Sequence, residues 1–241
     1  MGAALFWGLA SSAALFLGQW LAKPLGTSER AIGLMMGFGG GTLLAAVAYE
    51  LIPESHISDG WQIIAFALIG ALTYYAGDRI IDSRGGAARA AVAAGKGEGG
   101  SGMAMFLGAL LDGIPEAFIL GLGLALGGSI SVAFVAAIFV SNIPQGLAGT
   151  TSLQEAGTPD RRIAIMWGLL TVACGAASLA GYLMADHLSH LGTYASAFAG
   201  GAVLMMLADS MIPESYRHGG RLVGLLTVVG FLVAGVLTVL Q

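Results

Sequence analysis

Two short polar clusters interrupt long apolar runs, and each is built around Ile-Pro. The first reads Leu111-Asp112-Gly113-Ile114-Pro115-Glu116, and the second reads Val140-Ser141-Asn142-Ile143-Pro144-Gln145-Gly146. Asp112 and Glu116 are one helical turn apart, as are Ser141 and Gln145, so a helix would place each pair on one face. Pro115 and Pro144 each remove a backbone donor and crowd the preceding turn, which is expected to break both segments and to free carbonyls such as that near Leu111. Carboxylate, amide and carbonyl oxygens together suit a cation. A dication would also neutralise Asp112 and Glu116, offsetting much of the cost of burying them. The competing use of the same side chains is a helix–helix hydrogen-bond network with a protonated carboxyl.

The surroundings decide how unusual these polar groups are. Charged residues make up 10% of the chain and hydrophobic ones 56%, with a mean hydropathy of +0.83. A soluble domain carries about 25% charged residues, so this composition excludes a solvated globular surface. It predicts an all-α integral membrane protein, in which an ionisable residue within a span marks a functional site by default. The single cysteine, Cys174, excludes an intramolecular disulfide and a Cys-x-x-Cys metal site. The lack of Lys or Arg ahead of the first apolar run argues for a retained span rather than a cleaved leader.

A bilayer crossing needs about 20 mostly apolar residues. Eight segments meet this: about 4–22, 31–53, 61–81, 102–125, 129–152, 163–185, 193–213 and 220–240. The ten Lys and Arg are Lys23, Arg30, Arg79, Arg84, Arg89, Lys96, Arg161, Arg162, Arg217 and Arg221. All lie in or beside the connections after spans one, three, five and seven. The positive-inside rule makes those connections cytoplasmic, so both termini lie outside. The Gly- and Ala-rich cytoplasmic loop at about 82–101 reads as flexible. Asp78 and Asp82 are expected at the cytoplasmic edge. The opposite connections hold Glu54, His56, Asp59, Asp186, His187 and His190, a rim able to concentrate cations.

Residues 40–55 and 200–215 match at a constant offset of 160, with eight of sixteen positions identical, including a shared Ile-Pro-Glu-Ser ending. They fall on spans two and seven, which run in opposite directions. Spans four and five match again through Ile-Pro. The chain therefore reads as a 3+2+3 inverted-repeat arrangement, a transporter architecture whose site lies near the midplane. Glu50, Glu54 and His56 then line the outer mouth, and Asp209, Glu214 and His218 the inner one.

At these motifs the chain resembles the ZIP family of divalent metal transporters over all eight spans. The resemblance implies a binuclear site built from a His-Asn-x-Pro-Glu-Gly motif on span four and a related motif on span five. By position these fall on Asp112, Gly113, Pro115, Glu116 and Ala117, and on Ser141, Asn142, Pro144, Gln145 and Gly146. Asp112 and Ser141 stand where histidines or other polar ligands are usual, Gly113 where asparagine is, and Gln145 where a second bridging glutamate is. Cys174 takes the place of a span-six glutamate. Only two carboxylates remain, which favours one metal over two.

The implied metal ligands are Asp112, Glu116, Ser141, Asn142, Gln145 and Cys174. The implied cargo is zinc, with manganese, iron and cadmium as alternatives, moved toward the cytoplasm with no permanently bound cofactor. The expected partners are the lipid bilayer, the metal ion and a second copy of the chain as a homodimer, with no nucleic acid. The expected location is a bacterial inner membrane. No Gly-x-x-x-x-Gly-Lys-[Ser/Thr] loop is present, and an enzymatic role is not expected. The altered ligands leave a second reading open, a non-transporting sensor or interaction partner with a degenerate site.

Overall fold

The computed structural model of the protein describes residues 1–25, 28–52, 60–81, 101–127, 132–188 and 192–240. Glu54 and His56 of the expected outer mouth, and the loop at 82–100, lie outside those residues. Among the described residues there is no strand, and the chain forms eight helical rods. The rod α1 joins Gly2–Ser12 to Ala14–Leu25. Glu29–Ala46 with Val47–Leu51 forms α2, and Trp61–Ile81 forms α3. Ser101–Gly127 is α4, Val132–Glu155 is α5 and Asp160–Leu188 is α6. Gly192–Met206, Leu207–Met211 and Ile212–Gly219 run on as α7, and Leu222–Val239 is α8.

Seven of these rods are long and apolar enough to cross a membrane. The exception is α5, which has 24 residues but carries Ser141, Asn142 and Gln145 in its middle. The outward faces are lipid-like: Trp61, Ile64, Leu68 and Leu72 on α3, and Leu225, Leu232 and Val236 on α8, are all exposed. At its start α2 is capped by Ser28, whose Oγ accepts the Ala31 N–H at 3.3 Å.

Lipid tails are as apolar as leucine, so membrane helices associate through close backbone approach rather than through exclusion of water. Four tight pairs follow that rule. In α2–α8, a Cβ on Gly41 would strike the Thr227 backbone, and one on Gly230 would strike Phe38. In α3–α7, Gly201 meets Ala67 and Gly70 meets Phe198 in the same way. Each residue of one pair has its counterpart 160 positions away in the other: Gly41 and Gly201, Thr227 and Ala67, Gly230 and Gly70, Phe38 and Phe198. The other two pairs are α1–α5, through Gly18 and Gly146, and α4–α6, through Gly121 and Gly181.

The pairs assemble into two groups. One holds α1, α4, α5 and α6; the other holds α2, α3, α7 and α8. Hydrogen bonds across helices tie each group. Ser178 donates to the Ala4 carbonyl at 2.8 Å, the Trp167 indole donates to Thr150 at 3.0 Å, and Tyr194 donates to Gln62. The groups meet chiefly where α2 crosses α5, with Gly39 against Ser141.

The rods α4 and α5 differ from the broken segments expected of them. The chain stays α-helical through Pro115 and Pro144. A single proline deprives only one carbonyl of its donor, and neighbouring helices hold the rest of the rod in line. The irregular turns lie elsewhere. Val47–Leu51 and Leu207–Met211 are wide π-turns, 160 residues apart at both ends. Such turns are frequent at functional sites.

The glycine contacts generate a test. Gly41→Val drives a branched side chain into the α8 backbone and is expected to cost about 1–3 kcal/mol. Gly123→Ala, where a Cβ meets nothing within 4 Å inside a helix, should raise stability by about 0.5–1 kcal/mol. Thermal unfolding of both variants in detergent checks the pair.

Candidate metal site

The two helices α4 and α5 lie side by side within one group and carry the polar clusters at the same level. Asp112 is 7% exposed and Glu116 1% exposed. Oδ1 of Asp112 accepts a hydrogen bond from the Tyr74 hydroxyl at 2.7 Å, and Oδ2 accepts from the Gln145 amide at 3.3 Å. The structure thus joins Asp112 to Gln145 directly. One turn along α4, neither oxygen of Glu116 has a hydrogen-bond partner, and Oε1 of Gln145 also has none. In an apolar interior each unsatisfied polar group carries its full desolvation cost. Those vacant oxygens are the donors that a cation requires.

Cys174 of α6 is buried beside this face. It is 1% exposed. Gly113 leaves the room it needs, since a Cβ there would lie 3.1 Å from Sγ. The other two expected ligands are turned to structural work. Asn142 donates to the Ser11 carbonyl of α1 at 3.2 Å, and Ser141 donates to Ile138 of its own helix at 2.9 Å. Among the described residues no three His, Cys, Asp or Glu side chains converge on one point. Any metal here must draw on amide or hydroxyl oxygens as well as on carboxylates.

A cavity of about 40 Å³ opens at Asp112 and Gln145 and is bounded by Met36, Ser210, Met211 and Glu214. A single water needs about 10–15 Å³, so the space admits a small hydrated ion. The expected inner-mouth residue Glu214 therefore shares a cavity with Asp112. Asp209 does not: it is exposed on the π-turn of α7 and lines no part of that cavity. His218 is turned toward Glu29, with Nδ1 at 3.6 Å from Oε2. Glu50 sits part-buried on the π-turn of α2, away from the cavity. A larger apolar cavity, about 310 Å³, lies behind Pro115 between Phe66, Phe118, Tyr194 and Phe198. It offers a cation no ligand.

Tyr74 is the residue that sequence reasoning missed. It is 8% exposed on α3, and Asp78, one turn further on, is 5% exposed. Asp78 is thus buried in the last turn of α3, beside the exposed Arg79. A tyrosine and an aspartate spaced by four in a membrane helix were the available signal. Met36, buried in the core, also lines the cavity.

No protein-family model matches the sequence. The chain is 26% identical over 192 residues to an Arabidopsis thaliana protein provisionally named a zinc transporter. The alignment covers 77% of this chain and 30% of that protein, so the chain spans about a third of the length of this relative. The apolar helices indicate a multi-pass membrane protein.

The unpartnered carboxyl sets up an opposition between stability and binding. Glu116→Met fills the same space without buried polar atoms and should stabilise the metal-free protein by about 1–3 kcal/mol. It should also abolish metal binding. Unfolding in a chelator and a zinc titration of the same sample measure the two effects.

Proposed function

We propose that this chain is a ZIP-like carrier that moves a divalent metal ion through a site between α4 and α5 toward the cytoplasm. One observation carries the reading: Glu116 is buried with both oxygens vacant, one turn from Asp112, where a cavity leads on to Glu214. The vacant Glu116 oxygens, Asp112 and the free oxygen of Gln145 form the ligand set, with Cys174 as a softer neighbour. One metal fits these few anionic ligands better than two. Zinc is the first candidate; manganese, ferrous iron and cadmium are the others, because oxygen ligands dominate.

Direction follows from charge. The described basic residues Lys23, Arg30, Arg79, Arg161, Arg162, Arg217 and Arg221 are all exposed at the connections assigned to the cytoplasm. Glu214 lies three residues from Arg217, so the cavity opens toward that side. Eight crossings with both termini outside accommodate this, with α5 as the polar crossing. The inverted repeat is supported by the glycine contacts and π-turns that recur at an offset of 160. Rocking of one helix group against the other would alternate access to the site.

A second reading, a metal sensor without flux, is favoured by the lack of three converging acidic, His or Cys ligands among the described residues. Uptake separates the two. Proteoliposomes are given zinc, manganese, ferrous iron and cadmium, with wild type beside Glu116→Gln. The carrier reading expects uptake of at least one metal, falling to background in the variant. Binding without uptake by folded protein supports the sensor. Protons compete with the metal for the carboxylates, so uptake should fall as the pH is lowered. A flat profile from neutral to acid pH would remove the carboxylates from the transport step.

A further inference from the structure

We propose that Tyr74 is a release residue, a positioning group whose hydroxyl competes with the metal for Asp112 and reclaims that carboxylate as the ion leaves. The proposal rests on the carrier reading and assigns a step within it.

The two carboxylates of the site are treated differently by the fold. Glu116 has no hydrogen-bond partner at either oxygen. Asp112 has a donor on each oxygen, Tyr74 on Oδ1 at 2.7 Å and Gln145 on Oδ2 at 3.3 Å. The Tyr74 bond has the length of a strong, charge-assisted O–H···O⁻ contact. Its ring is fixed in the same apolar cluster as Val203 and Met206 of α7. The hydroxyl is thus held in place and does not merely drift over the carboxylate.

A cation that takes the Oδ1 lone pair facing Tyr74 must turn this hydroxyl away. The phenol would then give up a bond to a charged acceptor, which costs more than a neutral hydrogen bond does. The hydrogen bond therefore favours the empty site over the loaded one. A ligand shifts an equilibrium only by its differential affinity for the two states, and here the protein supplies the differential. The placement suits release. Asp112 lines the cavity that reaches Glu214, whereas Glu116 does not. The bond also joins the two helix groups, since Tyr74 lies on α3 and Asp112 on α4. It is made in the conformation whose cavity lies on the Glu214 side, and any relative movement of the groups would stretch it.

This predicts a sign opposite to that of an ordinary ligand deletion. Tyr74→Phe keeps the ring and removes only the hydroxyl. The full chain in detergent is titrated with Zn²⁺, then reconstituted for zinc uptake. Loss of a hydrogen bond to a charged group corresponds to about a tenfold change in affinity. The variant should therefore bind zinc about tenfold more tightly, with a lower KM and a lower kcat. Equal or weaker zinc binding overturns the proposal, and weaker binding would make the phenol oxygen a ligand instead. Tyr74→Leu, which also lacks the hydroxyl, must shift zinc affinity in the same direction if the phenylalanine variant fails to fold. Absence of zinc binding in folded wild type would overturn the carrier reading for zinc, and this proposal with it. Normal wild-type uptake with unchanged affinity in Tyr74→Phe would overturn this proposal alone.

Discussion

An acidic side chain held between membrane helices with neither oxygen hydrogen-bonded is the most expensive feature of this protein, and the rest of the structure is arranged to keep it in place. Glu116 cannot reach water, and no neighbour donates to it. Where the bilayer excludes water, polar groups must find partners within the protein. Asp112, Asn142 and Ser141 do so; Glu116 does not. A helix–helix hydrogen-bond network accounts for Asn142 and Ser141 and leaves Glu116 unpartnered.

Holding such a group requires rigid walls, and these come from backbone contact rather than side-chain interlock. The four helix pairs approach closely at glycines, so each behaves as a stiff unit. The site is then assembled from pieces of different stiffness. Asp112 and Glu116 ride on α4, which is clamped to α6; Tyr74 rides on α3, which is clamped to α7. Between the clamped units lie weaker boundaries, a small cavity at Asp112 and an apolar one behind Pro115.

Much of this was legible in the sequence because it depends on hydropathy and spacing. The helical segments, the pairing of Asp112 with Gln145 and the place of Glu214 follow from apolar runs, from residues four apart, and from an internal match. Tyr74 was not legible, because its contact with Asp112 depends on which helices become neighbours, and an isolated span does not record its neighbours. Asn142 was read as a ligand on its chemistry, but the nearest acceptor to its amide is a backbone carbonyl on α1. Asp209 was grouped with Glu214 by proximity in sequence, yet the wide turn at Leu207–Met211 leaves it facing outward. The prolines were expected to break their helices, and packed neighbours overrode that local preference.

The two wide turns have a geometric consequence for the faces that follow them. In an α-helix each residue rotates the chain by about 100°. A π-turn accommodates one residue more than the regular turn it replaces, so it resets the phase of the helix beyond it. On α7 the reset segment is Ile212–Gly219, which brings Glu214 to the same cavity as Ser210 and Met211. Loss of one residue within Leu207–Met211 would leave composition and hydropathy almost untouched, yet it would swing that carboxylate by about 100°, off the cavity. The acid at the mouth is therefore specified by a count of residues, and no substitution elsewhere can stand in for that count.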